Sequence, residues 1–534
     1  MTGLLEKSLF GNLKSIKSVV DEKPLLDQAQ MALGLDLSRY YGCSLGEALF
    51  TMVRGCEKQQ VLSGSVARKT APSLTLHTVP SGNYVPILAS VIKLLAQRKQ
   101  RVLILVPDQF AVQALQEALK KDFSKDDYLI GTRSSVFRSL VDIALVVMID
   151  EDNPSYKQEL TPLYETRHVL LMRAQRENVD VAFISAAASV EIMDLVHKGK
   201  IHLQVHPAKS LVKPQAVDLN NYKTLLKGLL SPAVLAALKG NVSKGTKSIL
   251  VFNHRGSYAI TRCSECGGVL KCERCDSPML YWRAKKQYLC RHCSFHLEAD
   301  IICSHCQVPS WKSFGLGIEP LQKALQEQFP TSRILAFERR SPEIFKDYDI
   351  LIGTSALLRF KYRTKVELVV LLDIDGEFNR LDMRSCFRAF SLAGHLRGMA
   401  QGQFLIQTRQ PNHYVVKSLT NDDAAVFYRE DMLIRRELAL CPFGHQVMIH
   451  LRSLRQKLGQ QAAQELYQAL TREKSKDVQV HAPAAEAVAK KRDQYRLNIL
   501  VQGVDVIGMI AFIKKAMTQV KRRSQVIVTL NVDP

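Results

Sequence analysis

The amino-acid sequence predicts an α/β protein with two parallel-sheet lobes, a cysteine-rich insertion in the second lobe and a C-terminal α+β domain. Short runs rich in Val, Ile and Leu alternate with helical patterns in two stretches, which is typical of parallel sheets covered on both faces. Eight of the twelve cysteines form four consecutive C-x-x-C pairs within the second stretch. The 534 residues are too many for one core and predict about three to four domains.

The first segment, residues 1–62, is predicted to be helical. Apolar residues recur at helical spacing in PLLDQAQMALGLDLSRYY, and a second helix, SLGEALFTMV, follows the break at Gly42. The polar stretch SGSVARKTAPS then indicates a linker, residues 63–71.

Strand and helix patterns divide the rest of the chain. The first lobe, 72–212, has the strands SLTLHTV, RVLILVP, YLIGT, ALVVMIDE and VAFISAA. The second lobe starts at 213–262 with SILVFN and resumes at 311–410 with SRILAF, DILIGT, VELVVLLDID and GQFLIQT, so residues 263–310 form an insertion. Residues 411–534 mix strands such as HQVMIHL and QVIVTLNVDP with the helix LRQKLGQQAAQELYQALTREK, which is typical of an α+β domain.

The four C-x-x-C pairs indicate two structural zinc sites. Each pair presents two sulfurs from one tight turn, and two pairs complete a closed shell of four sulfurs without an open coordination position. Disulfides are the alternative, but no secretory signal or long apolar segment occurs, and a reducing cytoplasm is therefore expected. The pairs are Cys263/Cys266, Cys272/Cys275, Cys290/Cys293 and Cys303/Cys306.

The net charge of +22 predicts a polyanionic partner, with a basic but non-binding surface as the alternative. The cysteine-rich segment is not its source. Residues 255–312 carry nine Lys and Arg against five Asp and Glu, and eight thiolates on two Zn²⁺ ions add net negative charge, which leaves the segment near neutral. The excess lies elsewhere, notably at Lys490, Lys491, Arg492, Arg496, Lys514, Lys515, Lys521, Arg522 and Arg523.

Two parallel-sheet lobes with a basic surface suggest a nucleic-acid motor, and several motifs make a resemblance specific. The run from SECGGVLKC to PSWKSF resembles the zinc insertion of the bacterial replication-restart helicases, the primosomal protein N-prime (PriA) family. The family's G-x-G-[TI]-E turn is matched by Gly315, Gly317, Ile318 and Glu319. ILIGTSALL, VVLLDIDGEFNRLDMRSCFRAF, TLNVDP, GTRSSVF, MIDEDNPSYKQE and SAAASVE follow the family's order, and KPLLDQAQMALGLDLSRYYGCSLGEALF is similar to the end of its DNA 3′-end-binding domain.

The resemblance covers nearly the whole chain and implies two RecA-like helicase lobes. It also implies how the zinc ligands divide: the outer pairs share one ion, and the inner pairs share the other. Arg133 lies in the GTRS turn, which resembles a helicase motif placed against the DNA backbone. With Lys521, Arg522 and Arg523 it is predicted to contact phosphates, whereas a merely solvated face is the alternative for the C-terminal cluster. The implied ligands are Cys263, Cys266, Cys303 and Cys306 for zinc 1, and Cys272, Cys275, Cys290 and Cys293 for zinc 2.

The phosphate loop departs from the family's G-x-T-G-S-G-K-T and reads HTVPSGNY at residues 77–84. Such a loop needs successive backbone N–H groups, a Lys on the β- and γ-phosphates and a small hydroxyl on Mg²⁺. Asn83 supplies no cation, Tyr84 places a ring before its hydroxyl, and Pro80 removes one donor. The degenerate nucleotide loop, which also contains Ser81 and Gly82, therefore argues against ordinary ATP and Mg²⁺ use.

The other motor motifs are eroded as well. Asp150 and Glu151 stand as relics of the family's Mg²⁺-binding and water-activating pair, with a simple acidic turn as an equal alternative. Asn153 replaces the family's histidine, and His395 stands at the first arginine of its arginine-finger motif, where Arg397 aligns ambiguously. The sequence therefore predicts no confident catalytic residue.

These observations predict a degenerate, N-terminally shortened replication-restart protein of the cytoplasm, without a membrane partner. It is expected to bind forked or single-stranded DNA and to help reload the replicative helicase without unwinding strands. Expected partners are replication-restart and helicase-loading proteins, with a single-stranded-DNA-binding protein among the candidates. The alternatives are an active ATP-dependent 3′-to-5′ helicase and an interaction scaffold that does not bind DNA. The family's N-terminal β-rich portion is absent from the sequence, and its winged-helix segment is missing or reduced to a linker, which puts recognition of a DNA 3′ end in question.

Overall fold

The computed structural model describes most of the chain. Residues 1–24 and nearly all of the predicted linker, 63–71, lie outside the described residues. The described residues are 25–55, 71–206, 211–221, 230–253, 260–266, 269–273, 279–282, 287–290, 295–298, 301–314, 318–337, 347–361, 363–379, 382–472, 477–491, 493–521 and 523–534.

Two helices precede the first lobe, α1 (Gln28–Tyr41) and α2 (Leu45–Gly55). Asp27 and Gln30 form a capping box that satisfies the first amide groups of α1. Gly42 ends α1 in the left-handed conformation, with φ of +68°, where glycine is favoured. A Cβ atom on Gly42 would lie 2.5 Å from Leu530 Cδ1, so α1 approaches the C-terminal domain too closely for a larger residue.

Lobe 1 is a six-stranded sheet with helices packed on it. Its elements are β1 (Leu74–Thr78), α3 (Val85–Ala96), β2 (Arg101–Leu105), α4 (Gln109–Leu119), β3 (Tyr128–Gly131), β4 (Ile143–Ile149), α5 (Thr166–Glu177), β5 (Asp180–Ser185), α6 (Val190–His197) and β6 (His202–Val205). The strand order is β3-β2-β4-β5-β1-β6, and all neighbours are parallel. The carboxyl ends of β1, β4 and β5 therefore meet at one edge of the sheet.

Lobe 2 repeats this architecture and carries the insertion. The elements of the lobe and insertion are β7 (Pro214–Asp218), α7 (Pro232–Ser243), β8 (Ser248–Val251), β9 (Ile260–Cys263), β10 (Leu280–Trp282), β11 (Gln287–Leu289), β12 (His296–Glu298), β13 (Trp311–Phe314), α8 (Ile318–Gln328), β14 (Ile334–Phe337), β15 (Ile350–Gly353), β16 (Val366–Leu371), α9 (Asp375–Phe378), α10 (Ser385–Arg397) and β17 (Ala400–Thr408). The lobe is a parallel sheet in the order β14-β15-β8-β16-β17-β7. The insertion leaves the lobe after β8 and contains the antiparallel sheets β10-β11-β12 and β9-β13.

The C-terminal region begins with two helices and ends in an antiparallel sheet. Its elements are α11 (Tyr414–Asn421), α12 (Ala424–Glu437), β18 (His445–Ser453), α13 (Gln456–Arg472), β19 (Val478–Val480), β20 (Ala484–Lys491), β21 (Gln494–Gly503), α14 (Val506–Gln519) and β22 (Val526–Val532). The sheet order is β19-β21-β18-β22, with β20 also paired to β21. Helices α11 and α12 contact β7, α10 and α6, and so pack on the two lobes.

One cluster of buried apolar side chains extends through both lobes, the first two helices and the C-terminal domain. It includes Leu103 and Val146 of lobe 1, Val369 and Phe404 of lobe 2, and Val447 of the C-terminal sheet. Separate clusters fill the opposite faces of the two parallel sheets. The lobes therefore share a hydrophobic core, in addition to having one of their own.

The predicted fold class, two RecA-like lobes with a cysteine-rich insertion and a C-terminal α+β domain, is confirmed. Among the described helices, none combines the length and apolar character needed to cross a membrane.

Candidate functional site

The loop between β1 and α3, at the position of the family's phosphate loop, forms a turn that ends in a buried tyrosine. The amide of Gly82 donates to the carbonyl of Val79 at 2.9 Å, and Gly82 has φ of +65°. Asn83 is exposed, and its amide donates to Ser81 Oγ at 3.3 Å. Tyr84 is 2% exposed and immediately precedes α3. The loop thus places an aromatic ring where the family has a small hydroxyl residue.

The Tyr84 hydroxyl points to the acidic residues at the end of β4. It donates to Asp150 Oδ1 at 2.5 Å, and Asp150 is fully buried with φ of +50°. Burial and the adjacent Asp150 carboxylate raise the pKa of Tyr84 well above its usual value. Tyr84 therefore remains a protonated donor to Asp150 at any ordinary pH.

Lobe 2 supplies the second partner of Asp150. Lys361, which follows the 3₁₀ helix Ser355–Phe360, places Nζ 2.5 Å from Asp150 Oδ2. The same ammonium lies 3.2 Å from Nδ1 of His395 on α10. Lys361 thus lies between Asp150 of lobe 1 and His395 of lobe 2. Each oxygen of Asp150 is thus bonded by a group from a different lobe.

Asp152 extends this network between the lobes. It accepts from Ser185 Oγ at 3.0 Å in lobe 1, and from His395 Nε2 at 3.3 Å and the Ser391 hydroxyl in lobe 2. Burial opposes ionisation of Asp152, but His395 and Ser391 outweigh it and lower the pKa of Asp152 to about 2. Asp152 is therefore an ionised acceptor whose donors come from both lobes.

The Glu151 side chain does not join the network of Asp150 and Asp152. It takes part in a second network of charged residues. Its carboxylate accepts from Arg167 Nη1 at 2.6 Å and from the Ser189 amide at 2.6 Å. Arg167 also lies 3.7 Å from Glu191, which Arg384 of lobe 2 approaches to 3.0 Å. Burial opposes ionisation of Glu191, but Arg384 and Arg167 outweigh it and lower its pKa to about 2. Glu151 is thereby held in a structural charge cluster rather than aimed at solvent.

An inter-lobe crevice remains beside the loop. A cavity of about 680 Å³ is lined by Ser81 to Val85 and α4 from lobe 1 and by three cations from lobe 2. A neighbouring cavity of about 500 Å³ shares Arg363 and Lys365 with it. Arg363 lies 2.7 Å from Glu117 of α4, and Lys365 Nζ lies 3.5 Å from the Ser81 carbonyl. The crevice has room for a small molecule, but its cations already bridge the lobes.

The remaining motor positions are engaged in local contacts. Arg397 donates to the Val212 carbonyl at 2.9 Å and pairs with Asp422, so His395 is the residue of this motif that faces Asp150 and Asp152. The Asn153 side chain accepts from the Ser155 amide at 2.9 Å and caps a short 3₁₀ helix.

The predicted DNA-contacting residues belong to lobe 1 and to the C-terminal domain. Arg133 begins a 3₁₀ helix, and its guanidinium donates to the carbonyls of Ser155 at 2.9 Å and Lys157 at 3.0 Å. Lys521 is exposed after α14, and Arg523 Nη2 lies 2.6 Å from Glu465. Arg522 lies outside the described residues. No hydrogen bond or ion pair joins Arg133 to the two described members of the cluster, Lys521 and Arg523, and the roles of these residues toward DNA stay predictions.

The outer C-x-x-C pairs converge. The Sγ atoms of these four cysteines lie within 4.8 Å of one another. The distance between Sγ atoms is 3.4 Å for Cys263 and Cys306, and 3.5 Å for Cys266 and Cys303. Tetrahedral sulfurs about 2.3 Å from zinc lie roughly 3.8 Å apart, so these four fit a zinc ion. The four are the set that the resemblance implies for zinc 1. Of the inner set, Cys272 and Cys290 are buried, whereas Cys275 and Cys293 lie outside the described residues.

Sequence reasoning missed the partners of Asp150 and Asp152 from lobe 2. Lys361 lies in LLRFKYRT, and nothing in that segment indicates a contact with Asp150, 211 positions earlier. Ser391 sits on α10 one helical turn before His395, and this i, i+4 spacing is the one sequence signal that places both on the same helix face.

Comparisons with known proteins agree with the motifs. A family model described as the PriA 3′ DNA-binding domain matches residues 3–54. The replication restart protein PriA of Treponema pallidum is 25% identical and covers 98% of this chain and 90% of its own length. The PriA proteins of Haemophilus influenzae (27% identical) and Bacillus subtilis (24%) cover 76% of this chain, which spans only 58% and 54% of their lengths. The resemblance to the replication-restart helicases is thus confirmed at modest identity.

A solved structure is also similar in part. The crystal structure of the DUF1998 helicase MrfA bound to DNA is 11% identical, with a TM-score of 0.34, over 66% of this chain and 46% of that chain. This likeness is too weak to support an inference about function.

Proposed function

We propose that this chain, as a relative of the bacterial replication restart protein PriA, is a DNA-binding component of replication restart that does not work as an ATP-driven motor. It binds forked or single-stranded DNA in the cytoplasm and presents that DNA to helicase-loading partners. Its two zinc ions hold the insertion in shape and take no part in chemistry.

The main support for the proposed loss of motor activity is that both carboxylate oxygens of Asp150 already accept hydrogen bonds within the protein. A motor needs this carboxylate, through Mg²⁺, at the β- and γ-phosphates. Here its two oxygens accept from Tyr84 and Lys361 at 2.5 Å each, in a site without solvent exposure. Breaking a buried ion pair costs about 3–5 kcal/mol. A loop with Asn83 in place of the phosphate-binding lysine supplies little to offset that cost.

The contacts between the lobes oppose the motion that a motor requires. Lys361, His395 and Ser391 of lobe 2 bond to the acids of lobe 1. The Tyr428 hydroxyl of α12 donates to the Ala188 carbonyl of lobe 1 at 2.7 Å. A shared apolar core lies beneath these polar contacts. Opening the lobes would therefore expose both charges and apolar surface to water.

DNA binding is supported by charge and by the relatives. The net charge of +22 favours a polyanion, and its attraction to phosphates is independent of nucleotide. The match to a 3′ DNA-binding domain at residues 3–54 points the same way. Positioning contacts to phosphates are expected from Arg133 and from Lys521 to Arg523, without sequence readout.

The test combines DNA binding with nucleotide turnover. Fluorescence anisotropy with forked, single-stranded and duplex DNA should give binding that is unchanged by ATP and weakens steeply with salt. Hydrolysis should stay well under about 1 per second with any of these DNAs. Faster turnover that Asp150→Ala abolishes would establish the active helicase instead. Absent binding would establish the scaffold that does not bind DNA, and binding indifferent to salt would refute the proposed phosphate contacts.

A further inference from the structure

Three potential metal ligands converge at the joint between the lobes and the C-terminal sheet, far along the chain from the C-x-x-C pairs. Cys441 follows α12, His445 begins β18, and Asp533 follows β22. One ligand atom from each lies within 4.8 Å of the other two. His445 Nδ1 and Asp533 Oδ2 are 2.7 Å apart.

We propose that Cys441, His445 and Asp533 bind a further divalent metal ion, with zinc as the preferred ion. Thiolate, imidazole and carboxylate together are the donor set of borderline metals such as zinc and are poorly suited to Mg²⁺ or Ca²⁺. With Cys441 and Asp533 ionised and His445 neutral, the occupied site carries no net charge, which suits a largely buried site. The proposal does not depend on the proposed function.

The surrounding structure holds each ligand separately. Strands β18 and β22 pair with Val447 opposite Val532, which places Asp533 opposite Gln446, the residue after His445. Asp533 Oδ1 accepts from the Gln446 amide at 2.9 Å and leaves Oδ2 directed at His445. Metal ligands are commonly oriented by such outer contacts.

The third ligand is fixed by a buried arginine. Arg435 Nη1 donates to the Cys441 carbonyl at 2.8 Å, and Arg435 Nε lies 2.7 Å from Asp431 on the same helix. These bonds hold the short segment that carries Cys441 against α12. The three ligands therefore come from three elements, each with its own support.

Cys441 is available as a ligand. Its side chain is 7% exposed and takes part in no disulfide. Zinc binds cysteine as the thiolate, so the Cys441 sulfur would hold the ion directly. The His445 side chain is 25% exposed, so solvent reaches the edge of the site at this residue.

The competing arrangement is a hydrogen-bonded pair of His445 and Asp533 beside a buried thiol. In that case Cys441 acts as a small apolar residue, which is common for an isolated cysteine. The 2.7 Å separation is shorter than the roughly 3.3 Å between nitrogen and oxygen ligands on zinc, and metal binding would separate the two groups by about half an ångström.

Metal content of the full-length protein distinguishes the two arrangements. After incubation with zinc and removal of the excess, wild type should hold about three equivalents, two of them in the cysteine-rich insertion. Cys441→Ser and His445→Asn should each hold about one equivalent fewer. Cys43→Ser is the matched control, because Cys43 is an equally buried free thiol at 6% exposure, and it should leave the content unchanged.

Cobalt spectroscopy provides a readout in wild type that does not depend on how well the variants fold. Refilling the metal-free protein with Co²⁺ should give a final equivalent whose thiolate-to-cobalt absorption is weaker than that of the four-sulfur sites, since one sulfur contributes. Saturation at about two equivalents, with spectra of four-sulfur character only, would overturn the proposal. Unchanged zinc content in both Cys441→Ser and His445→Asn would overturn it equally.

Discussion

Replacing Lys361 with methionine tests whether the relic motor site now holds the lobes together. The substitution keeps the apolar stem and removes the ammonium that lies 2.5 Å from Asp150. Asp150 is fully buried and the Lys361 side chain is 9% exposed, so water replaces little of the lost interaction. Removing one partner of such a pair costs about 3–5 kcal/mol. This corresponds to a shift toward separated lobes of roughly 10²- to 4 × 10³-fold, at about 1.4 kcal/mol per factor of ten.

Urea denaturation followed by circular dichroism measures the loss, and hydrogen exchange of α10 and β4 locates it. Adding Asp150→Asn to Lys361→Met removes the unpaired charge and should recover most of the stability. Arg363→Met is the matched control: its partner Glu117 is 60% exposed, and such surface pairs contribute under about 1 kcal/mol. The reasoning is refuted if Lys361→Met is no more destabilising than Arg363→Met, or if the double variant is no better than the single one.

Three further predictions concern DNA, zinc and pH. Reversing Lys521, Arg522 and Arg523 to glutamate should weaken binding about equally for unrelated DNA sequences and flatten its salt dependence, as anisotropy would measure; an unchanged slope would place the DNA site elsewhere. Cys272→Ser should release about one zinc equivalent and locally unfold the insertion, and intact exchange protection there would argue against a structural ion. Burial lowers the pKa of His168 to about 4, so its contribution is present above its unfolded pKa of about 6.5 and is lost as pH falls toward 4. His168→Gln should reduce the loss of stability between pH 7 and 5, and equal losses in both proteins would contradict this assignment.

The alternation of apolar runs and helical patterns was sufficient to predict both parallel sheets, because strand and helix periodicity are local properties of the sequence. The eroded phosphate loop was also readable, since Asn83 and Tyr84 differ chemically from lysine and a small hydroxyl residue. The convergence of the outer C-x-x-C pairs was predicted through the resemblance to a family. In each case the deciding information lies within a short segment or a recurring motif.

The partners of Asp150 and Asp152 lay beyond such reasoning, because the relative position of two lobes depends on packing across the whole chain. The sequence indicated that Tyr84 places a ring before its hydroxyl, but not that the hydroxyl would bond to Asp150. The sequence leaves the alignment of Arg397 ambiguous, whereas the structure shows that its guanidinium pairs with Asp422. Cys441 and Asp533 are separated by 91 intervening residues in the sequence, and no spacing rule connects them.

The apolar cluster that passes through both lobes and the C-terminal sheet also determines how the gene can be divided. A cut between the lobes would leave Phe404 and Val369 on one fragment, and Leu103 and Val146 on the other. Each fragment would then lack the apolar residues of the other lobe that complete the cluster. Large exposed apolar surfaces lead to aggregation, so neither half is expected to be recoverable alone in soluble form. We therefore expect the chain to be made, folded and degraded as one cooperative unit. Genetic complementation by separately expressed lobes should fail unless both halves are synthesised together.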